Sequence, residues 1–431
     1  MNGKSLMEAN DYIERAEKKV WDVPGLAASL PKREIHSIGV IGAGTMGGGI
    51  AMNFANAGMP VHIVETDQKK LELGLEVITG NYKRSIKRGK LTEDELKVRM
   101  SMISSSTTLT DLMGCDLIIE AVYEDMELKK KIFKELDKIA KPFTILATNT
   151  SALDINEIAL QSLRPDDVIG LHFFSPANVM KLLEIVRAKF TSDVVVASCL
   201  ELAGRIKKVP ALVGVCPGFV GNRILFERQK QALNLIYQGI MPWEVDKALN
   251  EFGFKMGPFQ MSDLAGLDIG WKQGAVTDNK IRDALCELDR RGQKTGAGYY
   301  DYDENRVPRI SKITENIIKD ITGNKDTMKK ESSEIIELCV FPMINEALKI
   351  LEEGMAQRPS DIDVVWLNGY GFPRNKGGLL FWADQIGPEK ILSSLLDMKD
   401  QGYDIEVSDL LRSICKDSKN ILDFAEQQVR V

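Results

Sequence analysis

The run SIGVIGAGTMGGGIAMNFANAGMPVHIVE, residues 37–65, decides the fold. Residues 37–41 read as a buried strand, a glycine turn at Gly42, Gly44 and Gly47 follows at once, and residues 50–57 continue as a helix. Residues 61–65 form a second strand that ends on Glu65. A lone G-x-G-x-x-G is weak evidence. Set between strand and helix, with an acid about twenty residues further on, it marks a dinucleotide-binding βαβ unit. Gly42 permits the tight turn, Gly44 lets the backbone approach a pyrophosphate, and Gly47 lets the helix lie close to the strand. The helix start at Thr45, Met46 and Gly47 offers amides and the positive end of its dipole to the phosphates. Glu65 suits a ribose diol and repels a 2′-phosphate, which favours NAD over NADP.

The pattern continues outward from this unit. Residues 116–122, 144–147, 168–172 and 182–186 are short apolar strands, with helical segments such as 127–139 between some of them, as in a parallel sheet. Ligands of such sheets sit beyond the C-terminal strand ends. Glu120, Asn149, Ser151 and His172 all fall at or just past those ends. In VIGLHFFSPANVMKLLEIVR (168–187), His172 closes one apolar run and Glu184 lies inside the next. If the two strands are neighbours, the carboxylate fixes the imidazole tautomer and frees the other ring nitrogen to take a proton. Taken alone, this segment favours a satisfied core histidine and an edge glutamate facing water, and it is the rest of the chain that reverses this; only three histidines, His36, His62 and His172, are present to serve as a neutral-pH base.

Composition limits the alternatives. A chain of 431 residues calls for two or three domains, and 44% hydrophobic with 27% charged residues is ordinary globular composition. A net charge of −6 and the lack of a matching motif argue against nucleic-acid binding. The six cysteines are scattered without a C-x-x-C pair, so neither a disulfide framework nor a metal site is expected. No apolar run reaches the length of a membrane span, and the first twenty residues are too charged for a secretory signal. The reading is of a soluble intracellular protein.

Residues 5–19 make a weakly amphipathic lead-in helix placed outside the main core. The basic cluster NYKRSIKRGK, with Lys83, Lys87 and Arg88, suits substrate phosphates or a solvated helix face equally well; Lys129 to Lys131 read as surface. From residue 215 onwards the chain is helical, and the polar stretch following KTGAGYY up to Lys330 reads as a linker. The chain then repeats itself. QALNLIYQGI (231–240) returns as EALKILEEGM (346–355), FGF (252–254) as YGF (370–372), and MSDLAGLD (261–268) as FWADQIGP (381–388) at its Asp and Gly. Two such copies can cover each other's apolar faces, so a monomer with an internal pseudo-dimer is expected. The second copy has Glu337 where the first has Asn222 in its PGFVGNR run, which marks it as structural.

With these residues assembled, the chain resembles the L-3-hydroxyacyl-CoA dehydrogenase family over nearly its whole length, and looks most like the two-repeat multifunctional branch of peroxisomal β-oxidation. The motifs that carry the resemblance are GAGTMGGGIA (42–51), EAVYEDMELKKKIF (120–133), TNTSAL (148–153), GLHFFSPANVMKLLEIV (170–186), PGFVGNRI (217–224), DLAGLDIG (263–270) and KTGAGYYDY (294–302). The resemblance implies NAD-dependent oxidation of an L-3-hydroxyacyl-CoA. His172 would be the general base, Glu184 its orienting partner, and Ser151 and Asn222 the groups that bond the substrate oxygen at C3. It also places Glu120, Lys129 and Asn149 near the nicotinamide and its ribose. The implied architecture is a lead-in helix (1–34), an α/β Rossmann-type dinucleotide-binding domain (35–214) and two homologous all-α domains (215–330 and 331–431).

Two positions depart from the single-repeat members. Ser175 replaces an asparagine after HFF, and Glu65 replaces an aspartate. The chain begins at what looks like the helix preceding the dehydrogenase, so a separate enoyl-CoA hydratase is an expected partner. The resemblance implies a peroxisome, although Val429-Arg430-Val431 is not an S-K-L tail, and the cytoplasm is the alternative. The rival readings are a dehydrogenase of short free hydroxy acids of the gulonate type, against which the second repeat speaks, and a catalytically silent NAD-binding protein.

Overall fold

The apolar runs of the first half assemble into one eight-stranded sheet. In this computed structural model, which describes residues 3–274, 276–323 and 329–423, the strands are β1 (Ile38–Ile41), β2 (Val61–Val64), β3 (Ile103–Ser106), β4 (Leu117–Glu120), β5 (Ile145–Thr148), β6 (Val168–Phe173), β7 (Leu182–Arg187) and β8 (Val209–Gly214). Their order across the sheet is β3-β2-β1-β4-β5-β6-β7-β8. Every neighbouring pair is parallel except β6 and β7. Strands β1, β4, β5 and β6 are buried along their whole length, which is why they read as unbroken apolar runs rather than alternating ones. The strand order reverses between β1 and β4, the crevice where open α/β sheets bind ligands.

The antiparallel step has a simple cause. Phe173 ends β6 and Leu182 opens β7, leaving the eight residues 174–181 between them. A parallel crossover needs roughly a dozen residues or more, so β7 must turn back beside β6. His172 then pairs in register with Glu184, and their side chains share one face of the sheet.

The chain divides into two units, one containing Met1–Arg223 and Ile350–Tyr370, the other Ile224–Lys349 and Gly371–Phe424. Three expectations change. Strand β3 went unread because its ISSS sequence is polar and half-exposed at the sheet edge. The first helix, Gly3–Lys19, is not a loose lead-in: Ala9, Ile13 and Ala16 are buried, and the Tyr12 hydroxyl donates to Asp363 at 2.7 Å on helix Pro359–Gly369 of the same unit. The supposed linker is folded. It holds the hairpin Tyr300–Tyr302 with Pro308–Ile310 and the helix Lys312–Thr322. Buried Arg290 ties these together by donating to the Gly298 carbonyl and the Ser311 hydroxyl, so the stretch is fixed to the fold although many of its charges face solvent.

The repeat is visible in the order of elements. A long helix, an eleven-residue helix and an eight-residue helix follow one another as Phe219–Tyr237, Pro242–Phe252 and Pro258–Ala265, and again as Ser332–Glu352, Pro359–Gly369 and Leu379–Ile386.

Candidate active site

The glycine turn has the geometry that a dinucleotide cradle requires. Gly42 adopts φ +105°, where a side chain is strained, and a Cβ there would lie 2.6 Å from the Ala121 carbonyl oxygen. A Cβ on Gly47 would come within 1.9 Å of the Gly42 carbonyl oxygen, whereas one on Gly44 would meet open space. Gly42 and Gly44 line a cleft of about 520 Å³ together with Glu65, Lys70, Val122 and Tyr123. Glu65 already accepts a hydrogen bond from the Ala43 amide at 3.3 Å, which aims its carboxylate across the turn. These residues fit a dinucleotide. His172, Ser151 and Asn222 are not among those lining this cleft.

They form a second neighbourhood, joined to the cleft through residues 121–124. His172 is only 5% exposed, and its Nδ1 lies 2.7 Å from Glu184 Oε2. The other Glu184 oxygen accepts the Gly221 amide at 2.9 Å. Both carboxylate oxygens are thus engaged, and Nε2 of His172 has no hydrogen-bond partner among the described residues. Phe174 and Phe219 hold the imidazole plane, with ring centroids 4.4 and 5.6 Å away. The other two histidines lack this setting. Exposed His36 lies beside Glu34, and His62 is held between the hydroxyls of Ser104 and Ser106.

Asn222 follows Gly221 and bridges two partners. Its Nδ2 donates to the Ser151 carbonyl at 3.2 Å, and its Oδ1 accepts the Tyr370 hydroxyl at 2.7 Å. Tyr370 therefore sets which way the amide faces. Its ring also packs edge-on against Phe174 and lies where a Cβ on Gly221 would be, 2.4 Å from that position. Arg223 is clamped by both oxygens of Glu353, at 2.5 and 2.8 Å. Sequence reading noticed Tyr370 only as part of an echo of FGF; no local pattern marks it, because its partner lies 148 positions away.

Glu124 was also missed. Its Oε1 accepts from the Thr150 hydroxyl (2.6 Å), the Ser151 amide (2.8 Å) and the Ser151 hydroxyl (3.2 Å). Burial alone would push its pKa up, but these bonds together with Lys129 hold it below the usual value. Glu120, the last residue of β4, is instead fully enclosed and accepts from Lys129 (2.7 Å), Thr148 (2.7 Å) and the Val122 amide (2.8 Å). Lys129 is 1% exposed, so the surface reading of that residue is overturned. It sits between Glu120 and Glu124, and only Lys130 and Lys131 behave as the outer face of their helix. Asn149 accepts the Phe173 amide at 2.8 Å and so ties the end of β5 to the end of β6. Lys83, Lys87 and Arg88 are exposed at the C-terminal end of helix Gln68–Lys87 and do not line the cleft. Among the described residues, no cluster of three or more His, Cys, Asp or Glu could hold a metal ion, and no helix is long and apolar enough to cross a membrane.

A glycine-turn dinucleotide fold with a buried histidine–glutamate pair at a strand end defines a dehydrogenase. The family model for the 3-hydroxyacyl-CoA dehydrogenase NAD-binding domain matches residues 37–216, and that for the C-terminal domain of the same enzymes matches twice, at 218–302 and 335–420. The peroxisomal bifunctional enzyme of Cavia porcellus is 43% identical over 421 residues, covering 91% of this chain and 58% of its own length. The crystal structure of the dehydrogenase part of multifunctional enzyme 1 from C. elegans aligns over 96% of this chain and 99% of its own, with a TM-score of 0.68 and 29% identity. That of 3-hydroxybutyryl-CoA dehydrogenase from Escherichia coli covers 88% of this chain and 98% of its own, with a TM-score of 0.74 and 27% identity. The chain belongs to the 3-hydroxyacyl-CoA dehydrogenase family. It spans 58% of the length of its guinea-pig relative and 60% of the human one.

Proposed function

We propose that the chain catalyses the reversible, NAD-dependent oxidation of an L-3-hydroxyacyl-CoA to the 3-ketoacyl-CoA. The observation that supports this most directly is the in-register pairing of His172 and Glu184, 2.7 Å apart. With Nδ1–H donating to Glu184, Nε2 is the basic nitrogen, and it takes the proton of the C3 hydroxyl. The nicotinamide, when bound, accepts the C3 hydrogen with its electron pair. Glu184 steadies the imidazolium that forms, and the Gly221 amide keeps that carboxylate in place. Asn222 has a second amide hydrogen beyond the one given to Ser151, and it holds the C3 oxygen in line together with the Ser151 hydroxyl. Gly42, Gly44 and Gly47, with the amides of Thr45 and Met46, hold the pyrophosphate, and Glu65 holds the ribose. Lys129 and Asn149 order the nicotinamide end, while Glu120 acts through Lys129. The exposed Lys83, Lys87 and Arg88 draw the CoA phosphates by charge.

A peroxisomal location follows the names of the relatives in animals and plants. An enoyl-CoA hydratase, whether separate or in the part of those relatives that this chain does not span, supplies the substrate by hydrating a 2-enoyl-CoA. The two helical copies suit a monomer.

Replacing the base tests the assignment. His172→Gln should lower turnover of acetoacetyl-CoA on the order of 10²–10⁴-fold, while a fluorescence titration with NADH stays unchanged. Full activity in that variant, or faster turnover of free hydroxy acids than of the CoA ester by the unaltered chain, would defeat the proposal.

A further inference from the structure

A second polar cavity lies in the sheet-bearing unit, between the C-terminal end of helix Thr45–Asn56, the connection between β6 and β7, and the turn before β8. It measures about 270 Å³. Five cations line it, Arg99, Lys181, Arg205, Lys207 and Lys208, and no carboxylate does. None of the five has a carboxylate within ion-pair distance among the described residues, and the amide of Asn178 is likewise without a hydrogen-bond partner among them. We propose that this cavity is an anion site that takes a phosphate group, free or as a monoester.

The argument turns on Lys208. Two buried lysines can be compared within one unit. Lys129 is 1% exposed and has Glu120 at 2.7 Å, so its charge is matched. Lys208 is 5% exposed, yet its ammonium donates only to the carbonyls of Ala177 and Met180, each at 2.5 Å. Carbonyl dipoles take two of its three hydrogens without supplying a counter-charge, and a buried charge left unmatched is costly. Burial accordingly pulls its pKa down to about 8. An anion in the adjoining cavity would supply the missing charge.

The remaining donors favour a tetrahedral dianion over a carboxylate. Arg205 is anchored through one nitrogen on the Ile35 carbonyl (2.7 Å), leaving the rest of its fork uncommitted. Lys181 and Lys207 are exposed and close the rim. Three terminal oxygens and close to two negative charges match this set, and the volume is several times the roughly 30 Å³ share of a water molecule, leaving space for the first atoms of the ester. Asn178 and Met180 belong to the eight residues that connect His172's strand to Glu184's strand. An occupied site would therefore brace that connection.

Calorimetric titration of the whole chain at fixed ionic strength, with inorganic phosphate in one series and glycerol 3-phosphate in another, tests the site. Saturable one-to-one binding is expected, and the Lys181→Gln/Lys207→Gln double variant should raise Kd by about tenfold or more, the equivalent of losing one charge-assisted contact. Both side chains are exposed and have no ion-pair partner among the described residues, so the variant should melt like the unaltered protein. Tighter binding of the ester identifies an organic phosphate as the ligand and equal binding identifies free phosphate; either result supports an anion site. No saturable heat with the unaltered chain, or the same Kd in the double variant, would overturn it.

Discussion

The two helical copies make an instructive pair. In both, the eight-residue helix ends on a glycine of nearly the same conformation, φ 109° and ψ 122° at Gly266, φ 97° and ψ 126° at Gly387. In both, an aspartate of that helix receives two successive backbone amides of a later segment. Asp263 takes those of Tyr299 and Tyr300, and Asp384 those of Ile421 and Leu422. The copies part company on the long helix. Asn222 bridges Ser151 and Tyr370, whereas Glu337 makes an outward pair with Lys390 at 2.7 Å. Scaffold chemistry was retained twice and site chemistry once. The second copy is still not inert, because its Tyr370 orients the amide that the first copy supplies.

Substitutions can break or sharpen this contrast. The largest effect is expected at Asn222→Ala, where losing one preorganised donor should lower kcat on the order of 10²-fold. Glu337→Ala, at the matching place in the second copy, should leave kcat unchanged, since an exposed ion pair contributes about 0–1 kcal/mol. Equal losses at the two positions would erase the distinction. Next comes Tyr370→Phe, which keeps the ring packing and removes only the hydroxyl. We expect kcat to fall by roughly threefold to tenfold, about one neutral hydrogen bond, and to fall no further when the change is added to Asn222→Ala. Additive losses would mean that Tyr370 acts by another route.

The smallest effect concerns pH. Burial raises the Asp263 carboxyl to about 6 in the folded chain against an ordinary 3.8, outweighing the amides, the Tyr302 hydroxyl and Arg290. The folded state then binds more protons than the unfolded one across that interval. The stability this contributes is complete below about 3.8 and disappears as pH rises through about 6. The difference in Tm between the unaltered chain and Asp263→Asn should shrink over that window, and a constant difference would contradict the assignment.

What could be read from the sequence followed from where the signals lie. The glycine turn, Glu65 and the apolar strands are local patterns, legible because strand, turn and helix each leave a short-range periodicity. The His172–Glu184 pair spans only twelve positions and needed just one assumption, that consecutive strands are neighbours. Tyr370 and Glu124 were missed because their partners lie far along the chain, and Lys129 was misjudged because only the fold turns the nearby Glu120 and Glu124 back onto it. A lysine in ELKKK looks like surface until Glu120 and Glu124 close around it. Strand β3 escaped because its serines answer to His62 across the sheet edge rather than to a core. The helix and hairpin between KTGAGYY and residue 322 were hidden by their many exposed charges, while the tie that holds them, through buried Arg290 to Asp301 and Ser311, leaves no local pattern.

The eight residues between β6 and β7 carry one more implication. Because so short a tether forces the chain to fold back, His172 and Glu184 are joined by contiguous sequence and meet whenever that hairpin zips up. On the proposed mechanism the helical copies can diverge or lengthen without remaking that pair, provided the first keeps Phe219 and the Gly221 amide against it, and what they would tune is the grip on the substrate oxygen.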